Sequence, residues 1–220
     1  MIRALIFDFD GTILDTELPE FQSWQEIYTA HGCELPFATW AIGIGTTNSE
    51  FDPYNFLETQ YGQAIDREQI RLRYRERFAE LIKLQTVLPG VENYLEEAKQ
   101  LGLKIGLASS SSQEWVRGHL GRLDLEHYFD CLKCADDVKL TKPDPELYLA
   151  ALTALEVEPE EALALEDSPN GITAAKRAGI FCIAIPNPMT GQLSLDHADL
   201  KLTSLAELSL QELIQKAQAI

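Results

Sequence analysis

The stretch Ala4-Leu5-Ile6-Phe7-Asp8-Phe9-Asp10-Gly11-Thr12 constrains this chain more than any other. Its apolar run has the length of a strand and ends in two carboxylates two residues apart, followed by a glycine. That is the pattern of a buried strand delivering acid groups to its own tip. Asp and Gly are also ordinary turn residues, so the same letters describe a plain Asp-Gly turn. What separates the two readings lies later in the chain.

From Pro89 onward, helical and strand patterns alternate. Val91 to Leu101 is an amphipathic helix closed by Gly102, Lys104 to Ala108 a short apolar strand, and Glu114 to Leu123 helical again. Asp130 to Ala135, Ala162 to Leu165 and Phe181 to Ile185 read as strands, with helices over Pro145 to Leu155 and Gly171 to Ala178 between them. Such alternation predicts a parallel sheet covered on both faces. Leu200 and Leu202 mark a short edge strand, and Ser209-Leu210-Gln211-Glu212 is a capping box that opens a last helix.

The segment from Leu14 to about Leu84 reads as all helical. Phe21, Trp24, Ile27 and Tyr28 recur at helical spacing before Gly32, and Ile70, Tyr74, Phe78 and Leu81 form a second stripe. Around that stripe stand Arg67, Arg71, Arg73, Arg75 and Arg77, which with Glu68, Glu76 and Glu80 read as a solvated, ion-paired face rather than an anion site. Gly43 to Ser49 reads as a loop. The predicted fold class is therefore α/β: a doubly wound parallel core built from residues 1–14 and 85–220, with a helical cap inserted over residues 15–84.

The chain has 220 residues, 45% of them hydrophobic, which is ample for a core. It carries 18 basic and 35 acidic residues, a formal net charge of −17, which repels phosphate backbones and anionic membrane surfaces. Nucleic acid and membrane partners are not expected, and an anionic substrate needs a bound cation and local donors. Without an apolar run of spanning length or a leader pattern, the expectation is a cytoplasmic protein, with a monomer as the default state. Cys33, Cys131, Cys134 and Cys182 are too few for a disulfide scaffold, and Cys131 and Cys134 lie three apart in an extended segment, facing opposite sides.

In an open parallel sheet, ligands bind beyond the carboxyl ends of the strands, where the strand order reverses. The polar residues that end strands are Asp8 and Asp10, Ser109, and Glu166 with Asp167, while Lys142 stands in the loop Leu140-Thr141-Lys142-Pro143-Asp144-Pro145. Two unit charges about 4 Å apart repel by roughly 4 kcal/mol at an effective dielectric of about 20. Four converging carboxylates therefore demand a counter-charge. Oxygen-only donors with no nearby imidazole or thiolate suit magnesium, and His31, His119, His127 and His197 fall outside these segments. Singly, Ser109 is also a plausible helix cap, Lys142 a solvated lysine and Glu166-Asp167 an N-cap pair. Together and in this order they are hard to reach by accident.

Asp8-Phe9-Asp10-Gly11-Thr12, Ser109 in Leu107-Ala108-Ser109-Ser110-Ser111, Lys142-Pro143-Asp144-Pro145 and Glu166-Asp167-Ser168 resemble the four motifs of the haloacid dehalogenase superfamily. The resemblance covers essentially the whole chain, and the early helical insertion is similar to the small cap of the subfamily containing β-phosphoglucomutase and phosphoglycolate phosphatase. It implies Asp8 as the nucleophile that forms an aspartyl-phosphate, and Asp10 as the acid that protonates the leaving oxygen and the base that later activates water. It also implies Ser109 and Lys142 as phosphate holders, with Lys142 offsetting the charge of Asp8. Magnesium would bind Asp8, the main-chain oxygen of Asp10, Asp167 and Glu166.

Attack on carbon needs no second aspartate, so Asp10 favours phosphoryl transfer over dehalogenation. β-Phosphoglucomutase has a histidine where this chain has Glu20 and a valine where it has Thr12, and its cap carries basic residues absent here from Ile42 to Ser49. The expected activity is magnesium-dependent hydrolysis of a small phosphorylated metabolite, a sugar phosphate among the candidates. A mutase stays open through a basic group on the helix Arg67 to Leu84. A phospho-acceptor switch is the non-enzymatic alternative, disfavoured by Asp10 and the large cap.

Overall fold

The computed structural model describes residues 1–44 and 51–220. In chain order the strands are β1 (Ala4–Phe7), β2 (Lys104–Ala108), β3 (Cys131–Lys133), β4 (Ala162–Glu166), β5 (Phe181–Ala184) and β6 (Leu200–Lys201). They form one parallel sheet in the order β3-β2-β1-β4-β5-β6. The order reverses beside β1, whose Ala4 lies opposite Lys104 on one side and Ala162 on the other.

The helices are α1 (Glu17–Ala30), α2 (Phe37–Trp40), α3 (Pro53–Tyr61), α4 (Arg67–Lys83), α5 (Val91–Gln100), α6 (Gln113–Arg122), α7 (Glu146–Leu155), α8 (Pro169–Arg177) and α9 (Leu210–Ala219). Strand periodicity sorts the core into two clusters. Leu5 and Phe7 of β1, with Leu163 and Leu165 of β4, join a cluster with Val91 and Leu95 of α5 and Leu120 of α6. Ala4 and Ile6, with Ala162 and Ala164, face Tyr148 of α7 and Ile172 of α8. Small residues on that second face let the helices approach closely. Each fully buried Leu, Ile or Phe contributes about 1.5–3 kcal/mol.

Helices α1 to α4 have a cluster of their own, with Trp24 edge-on to Tyr54 (5.0 Å between ring centroids) and stacked on Tyr74 (5.1 Å). It is not sealed from the sheet-bearing part: Met189, from the loop after β5, packs into it, and Asn170 Nδ2 donates to the Ile44 carbonyl at 3.0 Å.

Several boundaries differ from expectation for local reasons. Strand β3 stops at Lys133, not Ala135, because the Asp137 carboxylate accepts from the Cys134 N–H (2.8 Å) and turns the chain into a 3-10 segment over Ala135–Asp137. Helix α8 begins at Pro169, not Gly171: Ser168 is its N-cap, accepting from the Gly171 N–H at 3.1 Å. That assignment removes Glu166 and Asp167 from capping. The expected box at Ser209 and Glu212 opens α9. Arg71 pairs with Glu68 and Arg77 with Glu80, as anticipated, but Arg67 reaches Glu58 and Arg77 also reaches Glu26, so the face ties α4 to α3 and α1. Of the loop read over Gly43 to Ser49, residues 45–49 lie outside the described residues, and Gly43 closes a 3-10 turn from Ala41. The cysteines are free thiols. Among the described residues no helix is long and apolar enough to cross a membrane.

Candidate active site

A cavity of about 540 Å³ opens between the carboxyl ends of the central strands and helices α1, α2 and α4. Asp8 follows β1 directly and keeps its backbone in register, donating its N–H to the Leu165 carbonyl at 2.9 Å. The turn beyond it closes because Gly11 has φ +85°, and a Cβ there would sit 2.2 Å from the Asp167 carboxylate. Only glycine lets the two strand ends approach so closely.

Lys142 is 2% exposed. Its ammonium donates to Asp8 Oδ1 and, at 2.6 Å, to Glu166 Oε1. The loop that presents it is fixed by backbone contacts: Glu146 accepts from the N–H groups of Lys139 and Leu140, and Arg177 caps the Pro143 carbonyl. Glu166 is fully buried and also accepts from Tyr148 Oη (2.7 Å), the Asp167 N–H (3.2 Å) and Ser168 Oγ (3.4 Å). A Cβ at Gly171 would fall 2.0 Å from its carboxylate, so that glycine makes room for the acid. Glu166 is thus a clamp on Lys142 as well as part of the acidic group.

Carboxylate oxygens of Asp8, Glu166 and Asp167 come within 4.8 Å of one another, all buried. Burial raises the Asp8 carboxyl above the ordinary carboxylate range; the Lys142 ammonium opposes this, and the charges of Glu166 and Asp10 reinforce it. Asp167 is raised well above its ordinary value by burial and by Asp8 and Glu166. Burial works against the charge on Lys142, yet Asp8 and Glu166 hold it above its usual value. One lysine cannot neutralise three carboxylates, and hard oxygen donors with no nitrogen or sulfur among them fit a magnesium ion.

Asp10 faces the same cavity, its carboxylate bonded by Ser111 Oγ, Ser109 Oγ and Trp115 Nε1. Ser109 is fully buried and also accepts from the Ser111 N–H (3.0 Å), so its hydroxyl braces Asp10 and the loop. Next to it, the Ser110 hydroxyl is shielded from solvent and has no hydrogen-bond partner among the described residues. A buried donor left unpaired on the wall of the cavity that Asp8 and Lys142 also line suits a ligand oxygen. The structure therefore brings Asp8, Asp10, Ser109, Lys142, Glu166 and Asp167 together, and adds Ser110 and Ser111 to the serine contribution.

Other residues of the site escaped the sequence reading. Asn187 donates to Asp167 Oδ2 at 2.8 Å and is itself held by the N–H groups of Met189 and Thr190. It follows β5, so the strand-end rule that found Asp167 also points to it. Tyr148 and Trp115 sit on helices with no such signal. On the insertion side, Glu17 and Glu20 of α1 line the cavity; burial raises both carboxyls, Glu17 well above the ordinary range with Glu20, Asp10 and Asp8 adding to it, while a bond from Tyr74 lowers Glu20 in part.

His119, beside Trp115, tests the electrostatics independently. Burial lowers its imidazolium below the ordinary value of 6.5, and Arg122 adds to the effect. A depressed folded value contributes stability that is present above about pH 6.5 and is lost as pH falls. The melting temperature of His119→Gln should thus decline less than that of the parent between about pH 7 and pH 5; parallel declines would contradict the assignment.

Residues 5–185 match the model of the haloacid dehalogenase-like hydrolase family, and the chain belongs to that family. YhcW of Bacillus subtilis (strain 168), which carries a phosphatase name, is 50% identical over 214 residues, covering 97% of each chain. The phosphorylated carbohydrates phosphatase of Thermotoga maritima is 35% identical over 81% of this chain and 82% of its own. A crystal structure from Thermotoga maritima under a β-phosphoglucomutase name superposes with a TM-score of 0.77 at 30% identity, covering 97% of this chain and 99% of the other.

Proposed function

We propose that the chain is a magnesium-dependent phosphatase acting on the monophosphate ester of a small hydroxylated metabolite, in the first instance a sugar phosphate, through an aspartyl-phosphate on Asp8. The observation that carries this reading is the buried Asp8 carboxylate at the end of β1, gripped by Lys142 beside Asp10 and the Glu166-Asp167 pair. Asp8 attacks phosphorus as the ester bond breaks, and Asp10 gives its proton to the leaving oxygen. Asp10 then takes a proton from the water that attacks the aspartyl-phosphate, which frees phosphate and Asp8. Lys142 and the hydroxyl of Ser110 hold phosphoryl oxygens, while the Ser109 hydroxyl, given to Asp10, shapes the loop that presents Ser110. Asp8, Glu166, Asp167 and the main-chain oxygen of Asp10 would hold magnesium, which would supply the positive charge that lets carboxylates and phosphate share one site.

Hydrolysis is favoured over the mutase alternative by what α4 contributes. It turns Tyr74 and Phe78 into the cavity, not an arginine, and the acids Glu17 and Glu20 lie alongside; Lys142 is the one basic residue among the described lining. Among the described residues no second basic side chain lines the cavity to pair with a second phosphate. The name of the 35%-identical carbohydrate phosphatase points the same way.

The test is phosphate release from a panel of sugar monophosphates and bisphosphates, with magnesium or with chelator. Monophosphates should be hydrolysed with magnesium, at least about 100-fold faster than with chelator, and bisphosphates more slowly. Conversion of β-glucose 1-phosphate to glucose 6-phosphate without release would make the protein a mutase, and a single, stable phosphorylation would make it a switch.

A further inference from the structure

Asp10 serves both halves of the proposed reaction, and both of its oxygens are tied. Ser111 Oγ donates to Oδ2 at 2.7 Å and Ser109 Oγ to the same oxygen at 3.3 Å; Trp115 Nε1 donates to Oδ1 at 2.9 Å. A carboxylate held through one oxygen still turns about a broad terminal torsion, whereas one held through both has a fixed plane. The hydroxyls share Oδ2, so among the described residues the indole N–H is what fixes Oδ1.

The indole is placed from two sides. His119, one turn along α6, meets its ring edge-on with centroids 4.2 Å apart. On the other side the ring stacks on Phe78 of α4, centroids 5.5 Å apart and planes 15° from parallel. Phe78 stacks on Tyr74 (5.8 Å, 6°) and Tyr74 on Trp24 (5.1 Å, 27°). A continuous column of rings thus starts in the apolar cluster of the insertion and ends on the donor to Asp10.

We propose that Trp115 is a positioning residue for Asp10: its N–H sets the plane of the carboxylate, and the Phe78 stack makes that setting depend on how α4 sits over the core. The proposal rests on the acid/base reading of Asp10. It assigns α4 a part in the chemistry although no α4 side chain bonds a reacting group.

The test compares two esters of nearly equal shape. Phenyl phosphate needs a proton on its leaving oxygen, whereas 4-nitrophenyl phosphate leaves without one, and kcat/KM reports the steps through aspartyl-phosphate formation. Trp115→Phe keeps a ring in the stack and deletes the N–H. It should lower the phenyl to 4-nitrophenyl ratio of kcat/KM about tenfold, since small misplacements of a catalytic group are costly. Asp10→Asn should lower the ratio further, and the double variant should match Asp10→Asn alone. Phe78→Leu should reproduce part of the Trp115→Phe effect. Equal losses on both esters, or a double variant whose losses multiply, would overturn the proposal.

If the parent protein cleaves neither aryl ester, these esters do not report on Asp10 and the indole is read directly, the phosphatase reading standing or falling on the sugar-phosphate panel. The Trp115 N–H proton resonance, identified by its loss in Trp115→Phe, should move on Asp10→Asn and on Phe78→Leu. A resonance indifferent to both substitutions would overturn the positioning role on its own.

Discussion

Asp8→Asn is expected to abolish phosphate release, by about 10⁴-fold or more, because an amide cannot form the acyl-phosphate and removing one member of a concerted group forfeits most of its effect. The fold should survive. Burial raises the Asp8 carboxyl in the folded protein, so its ionised form costs stability that is absent below the unfolded value and grows as pH rises toward neutrality. The amide removes that cost and leaves Lys142 paired with Glu166. A thermal melt at pH 7 should therefore show a transition no lower than that of the parent. Substantial residual turnover in the folded variant would remove Asp8 from the chemistry.

Lys142→Met should be the most destabilising single change at the site. The lysine is buried between Asp8 and Glu166, and deleting one partner of such an arrangement leaves uncompensated buried charge, a loss of about 3–5 kcal/mol. For a chain of this size that lowers the melting temperature by roughly 10 °C. Methionine preserves most of the volume, so the loss reports charge rather than a cavity. The sign with pH follows: with the ammonium gone, nothing opposes the burial that raises the Asp8 carboxyl, which takes up a proton more readily, and the deficit against the parent should narrow from pH 7 to pH 5. An unchanged melt at pH 7, with activity retained, would contradict both the burial and the pairing.

The strand-end residues were legible in the sequence because two independent constraints meet there. Ala4 to Phe7 must be apolar on both faces of a covered parallel strand, so the first acid after it necessarily marks a tip, and the same holds for Glu166 after Ala162 to Leu165. Tyr148 and Trp115 are not legible, since each is brought to the site by tertiary packing and looks locally like a helix residue, whereas Asn187 follows β5 and falls within reach of the strand-end rule. Pro169 reads as a breaker unless Ser168 is already known to cap, so the sequence alone sets the start of α8 at Gly171 rather than Pro169. Asp137 ends the short β3 through a side-chain bond that no periodicity encodes, so the sequence pattern runs on past its true end.

The insertion enters and leaves the core at one point. Leu14 pairs antiparallel with Val87, and the Leu88 N–H donates to the Ile13 carbonyl at 2.9 Å. This bears on how the chain finds its fold, because β1 must pair with β2 from Ala4 to Lys104 and with β4 from Ala4 to Ala162. Closing such distances is entropically expensive and slows assembly, although each doubling of an open loop adds only about 0.6 kcal/mol. Helices with a local apolar cluster form quickly and draw their own ends together. Once Leu14 and Val87 are side by side, the rest of the sheet meets the whole insertion as a connection no longer than a turn.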